Sequence, residues 1–263
     1  MSRTHHSPPS LRAAIRTGKF DAPTAGQCLG HVQTNLVIVP ADAADEFAEF
    51  CRLNPRPCPL VARTAMGNAE PRDVAKGADL RTDVARYRVF RHGVADLAEP
   101  SDVRNLWRDD FVGFLLGCSF TFENALEAAG LHVRHIHEGR NVPMFRTNVA
   151  CQSAGRFRGN LVVSMRPYRA DQIEEVTRIT GRYPRMHGAP VHVGDPRAIG
   201  IADALKPDFG ESVTIRDDES PVFWACGVTP QLALESAKLE LAITHSPGFM
   251  FMTDLKDEEF CQP

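Results

Sequence analysis

No two cysteines in these 263 residues stand at C-x-x-C spacing, and the seven present (28, 51, 58, 118, 151, 226, 261) are odd in number. The first absence argues against a zinc ribbon and the second against a secreted disulfide framework, so a reducing cytoplasm is the expected location. Long apolar runs are missing as well. LVIVP and VGFLLGC are far too short to span a bilayer, and MSRTHHSPPSLRAAIRTGKF lacks the apolar segment of a signal peptide, so no membrane partner is expected. Neither sign of charge dominates: 30 Lys and Arg face 33 Asp and Glu, a formal net charge of -3, which gives nucleic acid no footing. G-x-G-x-x-G, P-loop, G-x-S-x-G and H-E-x-x-H motifs are all absent, so nucleotide-dependent chemistry has no support. A small-molecule partner remains.

A hydrophobic content of 43% is enough for a substantial core. VQTNLVIVP (32–40) reads as a strand stopped by Pro40, and ADAADEFAEFCRL as a helix burying Phe47, Phe50 and Cys51. Val103, Leu106, Trp107, Phe111, Phe114 and Leu115 recur at three- and four-residue steps, which predicts a helix over 101–116. A GCS turn, a helix over about 122–129, strand VRHIH, strand GNLVVSMRP, helix ADQIEEVTRIT and the strand, turn and helix of FWACGVTPQLAL follow. Alternating strands and helices predict an α/β fold with mixed sheets and flanking helices. Residues 1–18 are expected as a flexible arm, 19–78 with 185–263 as a larger α/β lobe, and 79–184 as a smaller one.

The chain also repeats itself. An offset of 108 lays Cys118 on Cys226, Thr121 on Thr229, Ala125 and Leu126 on Ala233 and Leu234, and His137 on His245, while an offset of 106 lays MFRTN on MFMTD. Eight coincidences in one order predict an internal duplication, with two units facing each other across a cleft where a ligand would bind.

Several constellations suit chemistry. Thr229 before Pro230 predicts a helix start, where free N–H groups attract anions and lower thiol pKa values, so Cys118 and Cys226 are either reactive thiols or parts of anion-holding turns. Buried packing is the ordinary alternative for a free cysteine. His187, His192 and Asp195 supply acid and base groups, and a two-His, one-carboxylate metal set only if the chain bends at Gly188 and Pro190. No metal ligand is assigned; no cofactor is required, although a divalent metal is possible. Arg140, Asn141, Arg146, Thr147 and Asn148 form a candidate carboxylate clamp, and Gln33 and Asn35 are amides on one face of an apolar strand. His245 is the remaining acid candidate.

PTAGQCLGHVQTNLVIVP, GADLRTDVARYRVFR, LWRDDFVGFLLGCSFTFENAL, EGRNVPMFRTN, RYPRMHGAPVHVGDP, VFWACGVTPQ and HSPGFMFMTDL resemble the bacterial hydro-lyase family related to D-glutamate cyclase, over roughly residues 20–257. The resemblance implies a lyase converting D-glutamate, or a related acidic amino acid, to 5-oxo-D-proline and water. For that reaction Arg146, Thr147 and Asn148 are expected to hold the α-carboxylate and His187 or His192 to deprotonate the amine. The Cys226–Thr229 turn would meet the oxyanion, and His245 or Asp195 would act as acid. Two rivals stand beside it: a cofactor-independent racemase or epimerase using Cys118 and Cys226, and a non-catalytic binder of an acidic amino acid or 5-oxoproline. A homo-oligomer is a reasonable expectation for an enzyme of this size.

Overall fold

The computed structural model describes residues 7–262. In chain order the elements are α1 (Pro8–Arg16), β1 (His31–Pro40), α2 (Ala41–Leu53), β2 (Leu60–Arg63), β3 (Tyr87–Arg91), β4 (Val94–Ala95), β5 (Phe111–Gly117), α3 (Phe120–Ala128) and α4 (Arg134–Glu138). There follow β6 (Met144–Ala150), β7 (Asn160–Arg169), α5 (Ile173–Gly181), β8 (His192–Val193), β9 (Glu219–Ala225), α6 (Thr229–Ala237), β10 (Ala242–His245) and β11 (Phe251–Lys256). The fold is mixed α/β with two antiparallel sheets.

The larger sheet runs β2-β5-β1-β10-β3-β4, with β11 also paired to β1; the smaller runs β6-β7-β9-β8. These sheets do not follow the expected division at 79–184, because β3 and β5 lie beside β1 and β10, while β8 and β9 lie beside β6 and β7. Phe47 of α2 packs edge-on against Phe114 and Phe157, at 4.9 and 5.2 Å between ring centres, and covers one face of the larger sheet. Leu36, Ile38, Leu115 and Ile243 form a second core on the other.

Burial on both faces explains why 111–117 is a strand. All seven residues of FVGFLLG are buried, so the segment is apolar without alternation, and such a run also satisfies helical steps. The expected helix over 101–116 shrinks to a single 3-10 turn at Arg104–Leu106. VRHIH, expected as a strand, is α4, stopped by Gly139 in the left-handed region (φ 63°). Nor is the described part of the N-terminal arm loose: α1 buries Leu11 and Ile15 against Phe20, Cys28 and Met252, and Arg12 donates to the Met252 carbonyl at 2.9 Å. Residues 1–6 of that arm lie outside the described residues.

One register occurs in both sheets. Thr34 of β1 faces Gly117 of β5 on one side and Phe251 of β11 on the other. In the smaller sheet Val163 of β7 faces Ala225 of β9 and Phe145 of β6. A cysteine and a helix follow β5 and β9 alike, as Cys118 with α3 and Cys226 with α6. β6 follows α3 in the chain but pairs with β7, and β11 follows α6 but pairs with β1, so each strand completes the other sheet.

Candidate active site

The two cysteine turns meet. Cys118, Phe120, Cys226, Asn35, His187 and His245 line one closed cavity between the sheets. The centre of a water-sized molecule reaches only about 10 Å³ of it, room for about one water. An amino acid therefore enters only if the walls move.

Each thiol is held alike. Cys118 Sγ accepts from the Phe120 N–H at 3.5 Å, and Cys226 accepts from the Val228 N–H. These donors favour thiolate, but burial outweighs them, pushing Cys226 up to about 11 and Cys118 further. Both are neutral thiols at pH 7. The threonines tie the turns to their sheets: Thr229 Oγ1 accepts from Val162 N–H at 2.9 Å, and Thr121 Oγ1 from Gln33 N–H at 3.3 Å. Thr229 is thus not the helix cap expected of it; Val228 occupies that place and makes no side-chain capping bond.

The two histidines leave the same ring nitrogen, Nε2, free in opposite protonation states. His187, in the left-handed region at φ 77°, donates Nδ1–H to the Arg56 carbonyl at 2.6 Å. That leaves Nε2 unprotonated, a base. His245 sits at a fork in the larger sheet, where β10 pairs with Val37 and Ile38 of β1 and β11 with Gln33 and Thr34. Between them Leu36 N–H donates to His245 Nδ1 at 3.1 Å, which puts the ring proton on Nε2, a buried atom with no partner among the described residues. Leu36 O also lies 3.2 Å from Nδ1, but a buried N–H tolerates the loss of its partner less readily than a carbonyl does. Burial lowers both imidazoles to about 4, so both are neutral at pH 7.

Asn35 joins the turns. Its amide donates to Gly117 O at 2.7 Å, just before Cys118. On its other side lies Gly227, where a Cβ would overlap the Asn35 amide. Behind Cys118 a buried ion pair closes the wall: Arg166 Nε donates to Glu123 Oε1 at 2.9 Å, and its other nitrogens to Ser119 and Ser164 hydroxyls at 2.9 and 3.1 Å. The guanidinium lies over Phe122 and Trp224, at 5.5 and 5.3 Å from the ring centres. Burial acts to raise the Glu123 carboxyl, but His135 and Arg166 outweigh it and hold it below the usual range.

A family model described as D-glutamate cyclase matches residues 112–254, a span holding both cysteine turns and both histidines. Relatives match nearly the whole chain. A protein of Stutzerimonas stutzeri (strain A1501) is 56% identical over 253 residues, 96% of this chain and 95% of its own. One of Bacillus subtilis (strain 168) is 51% identical over 252 residues, 96% and 98% of the two chains. Their names are "Putative hydro-lyase" and "Putative hydro-lyase YcsI". The chain belongs to the D-glutamate cyclase family. It is by that membership an enzyme of the lyase class, as the motif resemblance implies.

In this cyclase-family chain the other expected site residues lie apart from the cavity. Arg146 is half exposed, pairs with Glu235 at 3.0 Å, and borders an open surface depression with Thr147, Asn148 and Asp208. Arg140 is exposed beside Glu138, at 3.7 Å. His192 is half-buried and bonds the Asp195 carbonyl at 2.7 Å, while the exposed Asp195 carboxylate pairs with Arg197 at 3.0 Å. The bend at Gly188 thus turns His187 inward and leaves His192 and Asp195 outside, so the three form no metal set. Gln33 is turned from the cavity, donating to Thr24 O at 3.0 Å.

Asn141 marks the boundary with a second depression. It donates to Pro247 O at 2.9 Å, and Gly248, in the left-handed region (φ 91°), lies where a Cβ would overlap its amide. Residues 246–249 separate the closed cavity from an open depression containing Arg88, which sequence reasoning missed. Arg88 has no ion pair among the described residues. It donates to Gln231 Oε1 at 2.9 Å, and Gln231 in turn donates to the His245 carbonyl at 3.1 Å. No described helix is long and apolar enough to cross a membrane.

Proposed function

We propose that this enzyme closes an acidic amino acid to a lactam with loss of water, D-glutamate giving 5-oxo-D-proline. The observation that carries this reading is the convergence of an unprotonated His187 Nε2 and a protonated His245 Nε2 on one cavity walled by two helix-starting turns. Ring closure is intramolecular, so a correctly folded substrate already supplies much of the proximity advantage. The ammonium loses two protons on becoming a lactam nitrogen and the departing oxygen gains two on leaving as water, so the protein need only move protons. His187 Nε2 carries both protons, one at a time, from the amine nitrogen to the departing oxygen, and the neutral His245 Nε2–H donates a hydrogen bond to that oxygen without ionising. The Cys226–Val228 turn faces the developing oxyanion, a role its neutral thiol suits better than nucleophilic attack. Arg88 replaces Arg146 as anchor for the free carboxylate once residues 246–249 move aside, because of these two guanidinium groups it is Arg88 that has no ion pair among the described residues.

The recurrence of one register around β1 and β7 supports reading the chain as an internal duplication whose two cysteine turns came to share a cavity. The same observation favours one rival, a two-cysteine racemase, since Cys118 and Cys226 line that cavity together. Incubating purified protein with D-glutamate in D₂O distinguishes the two. Lactam without α-deuterium supports cyclisation, α-deuterium without lactam supports racemisation, and neither product rules out glutamate as the substrate.

A further inference from the structure

Away from the cavity, at the far end of α3, three potential metal ligands point at one another. His137 Nε2 lies 3.0 Å from both oxygens of Glu127, His132 Nδ1 lies 3.6 Å from Glu127 Oε2, and the two imidazole rings meet edge to face with centres 4.7 Å apart. One ligand atom from each of the three lies within 4.8 Å of the others. A tetrahedral ion bound at about 2.0–2.2 Å holds neighbouring ligands roughly 3.3–3.6 Å apart, so only small adjustments are needed.

The three come from separately fixed pieces of chain. Glu127 is in the last turn of α3, and its Oε1 also accepts from Val133 N–H at 2.5 Å. His132 stands between buried Leu131 and Val133, and Leu131 N–H donates to Leu126 O at 2.9 Å, fixing the link. His137 is on α4, which the left-handed Gly139 closes. The backbone thus brings together two imidazoles and a carboxylate that belong to no buried network.

We propose that Glu127, His132 and His137 bind a divalent transition-metal ion of the zinc class. Two imidazoles favour zinc, cobalt or nickel over magnesium or calcium, which prefer oxygen ligands. Two exposed imidazoles beside a partly buried carboxylate leave the fourth position to water. At 1.5 Å per residue, α3 puts Glu127 ~13 Å from Cys118, so the ion clamps the α3–α4 corner and does not touch the cavity. The proposal is independent of the cyclisation reading.

Zinc chloride titrated calorimetrically into chelator-stripped full-length protein tests it. One ion is expected to bind per chain and to raise Tm, with affinity falling by about 100-fold or more in the His132→Ala/His137→Ala variant. Cobalt is expected to give tetrahedral visible absorption that the same variant lacks. The sequence also carries His5 and His6, so a His5→Ala/His6→Ala variant is the control and is expected to bind as the parent does. The proposal is overturned by no binding below about 1 mM zinc, by unchanged binding in the 132/137 variant, or by loss only in the 5/6 variant. His132 and His137 are exposed, and circular dichroism verifies the folding of both variants.

Discussion

The imidazole of His245 completes the backbone of Leu36. Where β10 and β11 part along β1, Leu36 N–H has His245 Nδ1 as its acceptor at 3.1 Å, and the same bond puts the proton on Nε2, a buried atom of a residue that lines the cavity. Structural and chemical roles separate on substitution. His245→Leu strands a buried N–H and is expected to cost about 1–3 kcal/mol in urea unfolding. His245→Asn offers an oxygen near the Nδ1 position, so it should retain most of that stability while turnover of D-glutamate falls by ~10²–10⁴-fold. If His245→Asn keeps full turnover, the hydrogen-bonding role of His245 is wrong.

Stability should depend on pH between neutrality and pH 4. His187 and His245 are lowered by burial from 6.5 to about 4, with Arg166 and Arg56 near the first and Arg88 near the second adding to the effect. Below 6.5 the unfolded chain binds protons that the folded chain does not, so stability is full above 6.5 and declines as pH falls towards 4, by on the order of 3 kcal/mol per histidine. Urea midpoints measured across that window should show a slope that shrinks by about one proton in His187→Gln. An unchanged slope would mean the ring is already charged in the fold.

Gly227 and Asn35 should be energetically coupled. A methyl group at 227 enters the space of the Asn35 amide, so Gly227→Ala is expected to destabilise by roughly 1–3 kcal/mol. In an Asn35→Ala background the same change should cost less, a coupling that a double-mutant cycle measures. Strict additivity would show that the two turns are not held through Asn35.

The Arg166–Glu123 pair should be harmful to halve and tolerable to replace whole. Arg166→Met leaves the buried Glu123 carboxylate with His135 as its remaining partner, with an expected cost of about 3–5 kcal/mol, whereas Arg166→Met with Glu123→Leu should recover most of it. Thermal unfolding of the parent and the two variants decides the matter.

Arg146 and Arg88 reverse the roles their sequence contexts suggest. Arg146→Ala removes an exposed ion pair with Glu235, worth about 0–1 kcal/mol, and should leave turnover nearly unchanged. Arg88→Ala should raise KM for D-glutamate by at least about tenfold, the loss of a charged hydrogen bond of about 1.5–3 kcal/mol. Steady-state kinetics of the pair tests the carboxylate assignment directly.

Local pattern made much of the fold legible. Pro40 marks the β1–α2 boundary, and the β7, α5 and α6 segments each carry their own periodicity. β5 was illegible as a strand because burial on both faces removes the alternation by which strands are recognised. The repeat located both cysteine turns, since it compares distant parts of the chain. Arg166 and Glu123 stayed hidden because their pairing spans 43 positions and leaves no periodic trace. His187 was legible as a candidate but not as separable from His192, because which of them turns inward depends on the left-handed backbone of His187 itself.

The crossing of the last strands bears on how the chain is made. His31 pairs with Lys256, so the sheet that β1 begins is finished only when β11, 225 positions later in the chain, has been made. Until β10 and β11 emerge, β1 has an unpaired edge and Leu36 no imidazole, so a nascent chain stalled before residue 242 exposes the edge of an apolar strand. Folding with such distant pairings is intrinsically slow.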